Sequence, residues 1–374
     1  MKILHFISSP AAGGAETYVR DLSILMRQKG HDVHVVFLES AAEGGRDLAF
    51  EQAFLASLSA KSVSYSFIGK AARRRPWLGG LRLRKVVNSF QADVVHCHLY
   101  YALLFSFFLF KTPIIYTHHS FKLGLPSAFY RLFDLKVKAY IGICSACKKL
   151  LEGDRVRSVV LINNAVSKQR ISARVADTYE PGSEIICVFV GSLRAPKNLT
   201  LMLEAFASLR NPDVRLKIVG EGPDRSGLAS LAKSLGIDRR VQFLGNVSNV
   251  GAILADSDVF LMSSAWEGLP IALIEATLAG LPVVVTNVGG CAEVVHQCAN
   301  GFVVDSLDVD DYLAALEKMV ADAKLRSFFS RNALQFSGEF EIEKSVEKHL
   351  LLYQKVVNGD ASKNFTYQSS EGSE

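Results

Sequence analysis

No stretch of the chain holds the roughly eighteen consecutive apolar residues that a bilayer-spanning helix needs. The longest apolar run, Leu99 to Phe110, is about a dozen residues and predicts a buried helix. The opening MKILHFISSPAAGG has only a short apolar run, which reads as a first β-strand rather than a signal peptide, so a cytoplasmic protein is expected. Cysteine pairs at zinc spacing are also missing. Cys144 and Cys147 make one C-x-x-C with no second pair, and Cys97, Cys187, Cys291 and Cys298 are scattered through apolar runs. That pattern predicts small buried residues in a reducing compartment rather than a redox or metal centre. No D-x-D-like metal motif is evident, and no metal or cofactor is expected.

What is present is a chain of 374 residues, 49% hydrophobic and 10% aromatic, long enough for two globular domains. Its net charge of +5 is unevenly spread. Residues 1–165 carry 22 Lys and Arg against 11 Asp and Glu, whereas the remainder carries 20 against 26. A basic first half predicts an anionic partner, a membrane surface or nucleic acid.

The first half alternates short β-branched strands (KILHFIS, VHVVF, DVVHC, PIIYTH, AYIGIC) with helical stretches. The first of these helices places Val19, Leu22, Leu25 and Met26 on one face and stops at Gly30. Strands that are apolar throughout predict a parallel sheet covered on both faces. A polar segment around residues 165–183 reads as a linker, after which the alternation restarts. The expected layout is a first doubly wound domain over 1–165 and a second over 184–340. A helix over 341–357 follows, expected to pack back on the first domain, and then a disordered tail over 358–374. Ligands of such sheets bind at the carboxyl ends of the strands, so a cleft where the two domains face one another is expected to hold the site.

The richest segment is SSAWEGLPIALIEATLAGLPVVVTNVGG. Glu267 and Glu275 flank Gly268, Leu269 and Pro270, and Pro270 suits the first position of a helix. The loop Glu267–Leu269 would then sit at a helix N-terminus that favours phosphate or sugar oxygens. Glu275, one and a half turns along, could accept hydrogen bonds from vicinal ribose hydroxyls. A capping glutamate followed by one on a solvated helix face would give the same spacing. Here the sequence resembles the retaining glycosyltransferases of the GT-B fold, family 4. E-x7-E within EGLPIALIEA is followed by AGLPVV and a Gly-Gly turn with Glu293. FVGSLRAPKNLTLMLEAF, VGEGPDR, FLGNVSNV, LINNAVS and GGAE match other family segments in order, across roughly residues 2–357.

The resemblance implies roles. Glu275 would hold the ribose and Glu267 the transferred sugar, with amides near Gly268 and Leu269 adding contacts. Lys197 stands in register for the lysine that brackets the diphosphate. Ser192 occupies the usual arginine position, with Arg194 two residues on as its replacement. Gly13 and Gly14 form the family's N-terminal glycine loop. His119 matches the family's Thr-x-His and would contact the sugar, with His118 as its neighbour. His98, Gly222 and Leu244 fall in further family segments, and His96 reads as a core histidine, since further metal ligands beside it are not found in the sequence.

Without a metal, cationic side chains and helix amides must neutralise the leaving nucleoside diphosphate. The expected activity is metal-independent transfer of a hexose-type sugar from a UDP- or GDP-sugar to a lipid-linked glycan, in surface polysaccharide or lipopolysaccharide synthesis. A nucleotide-sugar 2-epimerase of the same fold is the alternative. So is a non-catalytic binding module built on KAARRRPWLGGLRLRK, where Arg73, Arg74, Arg75, Arg82, Arg84 and Lys85 lie among Trp77, Leu78, Leu81 and Leu83. No nucleic-acid fold accompanies that segment, which fits an interfacial helix on an anionic membrane better, with the enzyme peripheral on the inner face of the cytoplasmic membrane.

Overall fold

A computed structural model of the chain describes residues 1–11, 13–153, 156, 158–172, 184–247 and 249–359. It divides into two compact units, residues 1–163 with 345–374 and residues 164–344. The C-terminal helix Ile342–Val357 therefore belongs, from Ser345 onward, to the first unit.

The first unit is built on seven strands: β1 Lys2–Ile7, β2 Asp32–Phe37, β3 Ser64–Phe67, β4 Val94–Cys97, β5 Ile114–His118, β6 Val137–Gly142 and β7 Val159–Leu161. Their order in the sheet is β3-β2-β1-β4-β5-β6-β7, and each pairing is parallel. The second unit has six: β8 Ile185–Val190, β9 Val214–Val219, β10 Val241–Gly245, β11 Val259–Met262, β12 Val283–Thr286 and β13 Gly301–Val304. They run parallel in the order β10-β9-β8-β11-β12-β13. Val, Ile and Leu dominate the central strands, which are buried on both faces, whereas the edge strand β3 (SYSF) is mostly exposed. In each unit the order reverses once, beside β1 and β4 and beside β8 and β11. That reversal opens a crevice at the strands' carboxyl ends, the place where such sheets take ligands.

Three expectations are corrected. Leu99–Phe110 is not a continuous helix. It forms a 3-10 turn at Tyr100–Ala102 and one helical turn at Leu103–Ser106, broken up by its packing. Phe105 and Phe108 press against Gly79 and Gly80 of the helix Pro76–Phe90, so closely that a Cβ on either glycine would lie 2.5 and 2.2 Å from a ring carbon. The segment from 165 is not wholly a linker either. Val166 bridges Glu341, Lys168–Arg170 is a 3-10 turn, and the second unit begins at 164 rather than 184; residues 173–183 lie outside the described residues. Finally, the basic stretch 70–85 has an inward face. Leu83 is fully buried, Arg73 pairs with the buried Glu39 at 2.8 Å, and Arg82 donates to the carbonyl of Ile68.

Candidate active site

In the second unit, β8 ends in the loop Gly191–Lys197 and β11 in the loop Ser263–Pro270. Hydrogen bonds tie the two loops together. Ser263 Oγ donates to the carbonyls of Lys197 and Asn198, and Ala265 N donates to Pro196 O. This brings Lys197 Nζ onto Glu267 Oε1 at 2.5 Å, and Ser264 Oγ donates to the same oxygen at 2.7 Å. Both charged side chains are mostly shielded, 18% and 11% exposed, so the pair is orienting and firm rather than a loose surface contact.

The helix that follows runs Ile271–Leu278 with Pro270 as its N-cap, one position earlier than the first-turn placement expected. Its residues are buried except Ala272, because the adjacent elements enclose it. Glu275 therefore lies on a buried face, not a solvated one, and its Oε1 meets Arg170 Nη2 at 3.0 Å. Asn164 donates to the carbonyl of Leu269, and Gly290 N to that of Gly268. At Gly289, φ is +56° and a Cβ would fall 2.4 Å from the carbonyl oxygens of Glu267 and Gly268, so only glycine lets that turn close over the loop.

Ser192 and Arg194 are exposed while Leu193 between them is buried. Arg194 N donates to Ser192 O at 3.0 Å, a three-residue turn around Leu193 that keeps Arg194 next to the Ser192 position. Gly222 lies where a Cβ would meet Leu193 O at 2.1 Å, and Leu193 N donates to Glu221 O, which stitches the loop after β9 to the loop after β8. Leu244 is half-buried on β10.

Two literal D-x-D spacings correct the expectation that none is evident: Asp256-Ser257-Asp258 and Asp308-Val309-Asp310. Three of these four carboxylates do structural work. Asp256 pairs with Lys217 at 2.7 Å, Asp258 accepts from Ile186 N, and Asp308 caps the helix Val309–Ala321.

In the first unit, Gly13 caps the helix Gly14–Gln28 after β1, and Glu16 turns back to accept from Ser8 Oγ. Strand alternation at the end of β5 separates the neighbours His118 and His119. His118 joins Tyr116 OH on one face, and Thr117 and His119 take the other. His119 Nε2 meets His98 Nδ1 at 3.0 Å, and His98 Nε2 meets His5 Nδ1 at 3.1 Å. His96 has both nitrogens engaged, with Tyr353 OH and Thr117 Oγ1. His349 Nδ1 donates to Ser345 O. Burial pushes the pKa of His5 and His119 down to about 3 and that of His349 to about 4, helped for His5 by His349 and for His119 by His118 and His349. His96 and His98 are driven well below the ordinary value by the same burial, helped for His96 by His5, His349 and His119 and for His98 by His96, His119, His5 and His349. All five are neutral imidazoles at pH 7. His5, which the sequence reading did not single out, stands with His96 and His98 so that one ring nitrogen of each lies within 4.8 Å of the others, a grouping that could hold a metal.

Arg170, Ser264, Asn164 and Gly289 join the site without having been singled out from sequence. Asn164 was visible within LINNAVS and Gly289 within the Gly-Gly turn; Arg170 lay hidden in polar sequence that reads as linker.

Comparison with known proteins places these two units. Residues 12–170 match the model of Glycosyltransferase Family 4, and residues 173–336 that of Glycosyl transferases group 1. The chain is 31% identical over 180 residues to N-acetyl-alpha-D-glucosaminyl L-malate synthase of Bacillus anthracis, covering 48% of this chain and 47% of that protein. It is 32% identical over 181 residues to the UDP-Gal:alpha-D-GlcNAc-diphosphoundecaprenol alpha-1,3-galactosyltransferase of Escherichia coli, covering 47% and 46%. The lipopolysaccharide core biosynthesis glycosyltransferase LpsE of Rhizobium meliloti is 31% identical over 198 residues, covering 52% and 58%. The matches thus span about half the length of these curated relatives. Anabaena HepE in complex with UDP superposes with a TM-score of 0.78 at 19% identity, over 95% of this chain and all of that one, which makes the fold GT-B. With both family models matched in order over most of its length, the chain belongs to glycosyltransferase family 4.

Proposed function

We propose that the chain is a retaining glycosyltransferase that moves a hexose-type sugar from a UDP- or GDP-sugar to a lipid-linked glycan, without a metal ion, in surface polysaccharide or lipopolysaccharide synthesis. The observation that carries this is the Lys197–Glu267 pair set between the ends of β8 and β11, at the second unit's strand-order reversal. A carboxylate there accepts from sugar hydroxyls, and an ammonium beside it meets a diphosphate. Arg194, exposed on the same loop, adds the second cation. Glu275, its carboxylate held on the buried face of that helix by Arg170, is the acceptor for ribose hydroxyls. As diphosphate leaves, the two cations and the amides at the start of the helix Ile271–Leu278 stabilise the charge that develops. The acceptor hydroxyl attacks from the face the diphosphate leaves, with the leaving phosphate taking its proton, since no first-unit carboxylate stands out as a nucleophile. The names of the E. coli and Rhizobium relatives, and the UDP bound to HepE, favour a UDP-sugar donor and a lipid-linked acceptor.

Placement at the cytoplasmic face of a membrane is part of the proposal. No described helix is long and apolar enough to cross a bilayer. The first unit instead exposes Trp77 (57%), Leu81 (52%) and Phe110 (68%), with Arg84 and Lys136 over the Phe110 ring at 4.9 and 5.2 Å. Apolar rings ringed by cations suit an anionic interface.

Calorimetric titration with UDP and GDP tests the donor reading, and we expect UDP to bind. Glu267→Ala and Glu275→Ala should each abolish transfer, and turnover should persist in EDTA. Binding of neither nucleotide overturns the glycosyltransferase reading. Loss of turnover in EDTA, restored by added Mg²⁺, Mn²⁺ or Zn²⁺, overturns metal independence, and restoration by Zn²⁺ alone would direct attention to His5, His96 and His98.

A further inference from the structure

The 3-10 turn Lys168–Arg170 lies in polar sequence, yet its backbone is fixed from two directions. Just before it, Val166 N donates to Phe340 O and Ile342 N donates to Val166 O, while Lys168 pairs with Glu341 at 3.0 Å. The carbonyl of Arg170 packs on Gly251, in the helix Val250–Ala255 that follows β10, where a Cβ would fall 2.3 Å from that oxygen. From this fixed turn the guanidinium reaches Glu275, Nη2 to Oε1 at 3.0 Å, with the two side chains 31% and 10% exposed.

A long arginine side chain orients its partner only as well as its own backbone is held, since it has many rotamers to lose. Glu275 needs such a partner. Its helix is buried at every residue but Ala272, and a carboxylate taken from water is costly unless a cation compensates it. A carboxylate that reads vicinal hydroxyls must also be fixed in direction, because hydrogen bonds weaken steeply off line. Arg170 supplies both the charge and the direction. Ribose differs from dideoxyribose in those two hydroxyls alone, so the sharpness with which the sugar is read depends on how firmly this carboxylate is set.

We propose that Arg170 is a positioning residue for nucleotide recognition. Braced by Gly251 and by the pairing around Val166, it holds Glu275 so that the site selects ribonucleoside over dideoxyribonucleoside diphosphates. This rests on the reading of the protein as a glycosyltransferase with Glu275 at the ribose. An Arg170 that met the diphosphate itself would act on both kinds of nucleotide alike.

Calorimetric titration of the full chain with UDP and with 2′,3′-dideoxy-UDP tests it, or with the corresponding guanine pair if the chain takes GDP. In the wild type the ribonucleotide should bind at least about tenfold tighter. In Arg170→Ala the ribonucleotide should weaken to the level of the dideoxy form, whose own affinity stays within about twofold. Arg170→Lys, which keeps the charge without the planar fork, should give an intermediate ratio. Gly251→Ala, which displaces the turn and leaves every charge in place, should lower the ratio too. A wild-type ratio near one, an unchanged ratio in Arg170→Ala, or equal weakening of both nucleotides overturns the inference. If Arg170→Ala does not fold, Arg170→Lys and Gly251→Ala decide, and a wild-type ratio in both overturns it. Binding of neither UDP nor GDP by the wild type is a separate result, which defeats the glycosyltransferase reading instead.

Discussion

Lys197 and Arg194 are three residues apart yet sit in different circumstances, and their substitutions should separate accordingly. Arg194 is exposed, so Arg194→Ala removes a solvated cation, which the proposed mechanism places beside the diphosphate. Lys197 is largely shielded and bonded to Glu267, so Lys197→Ala also strips that carboxylate oxygen of its cation and leaves it the Ser264 hydroxyl. Removing one member of a shielded pair costs more than the pair contributes, because the survivor stays desolvated. We expect Lys197→Ala to lower kcat/KM at least about a hundredfold and Arg194→Ala about tenfold, measured as UDP-sugar turnover. Equal losses, or a larger loss at Arg194, would show that Arg194 has taken over the principal phosphate contact. The same logic explains why a glutamate tolerates the buried face of the helix Ile271–Leu278: Arg170 compensates Glu275 at 3.0 Å.

At the scale of elements, two glycines within helices make opposite predictions. Gly80 lies in Pro76–Phe90 against the Phe108 ring, where a Cβ would fall 2.2 Å from carbon, whereas Gly227 in Arg225–Ser234 has nothing within 4 Å. Gly80→Ala should destabilise the first unit by about 1–3 kcal/mol through overpacking. Gly227→Ala should stabilise the second by about 0.5–1 kcal/mol through helix propensity, and denaturant unfolding reads both. A stabilised Gly80→Ala would mean that the phenylalanines move aside freely. This contact also marks where the sequence stopped being legible. The central strands could be read because they are largely apolar, whereas the mostly exposed edge strand Ser64–Phe67 could not, and the Glu267–Glu275 segment was legible because a loop, a helix and a turn leave a local pattern. Leu99–Phe110 could not, since its length and hydrophobicity suit a helix and only the distant Gly79–Gly80 face divides it. Arg170 and His5 were illegible for a related reason. One sits in polar sequence resembling a linker, the other in an apolar strand, and each acquires a role only from a partner about a hundred residues away.

Over the whole molecule, charge and histidine are both concentrated in the first unit. The charge predicts anionic-vesicle binding that weakens in salt and falls in a protein with Trp77, Leu81 and Phe110 changed to Ser. Arg73→Ser should matter less, because that guanidinium already serves Glu39, and co-sedimentation with neutral and anionic vesicles distinguishes these outcomes. The histidines predict acid lability confined to one unit. His5, His96, His98, His119 and His349 all have folded pKa values below the ordinary 6.5, and all belong to the first unit. Above pH 6.5 they are neutral in both the folded and unfolded states and contribute no pH dependence. Below it the unfolded chain takes up protons that the folded unit refuses, so stability falls with pH, up to about 1.4 kcal/mol per pH unit for each ring, and for His5, His119 and His349 this continues to folded values of about 3, 3 and 4. By pH 5 His5, His119 and His349 cost roughly 2 kcal/mol each, a sum comparable to the whole stability of an ordinary domain, and His96 and His98 act in the same direction. The two tryptophans, Trp77 in the first unit and Trp266 in the second, allow each to be followed alone. In Trp266→Phe, where Trp77 reports, the thermal midpoint should drop by at least about 10 °C between pH 7 and pH 5. In Trp77→Phe, where Trp266 reports, it should move much less. Equal drops in the two proteins would defeat the assignment of the acid-sensitive element to the imidazole cluster, since that cluster touches only one of them.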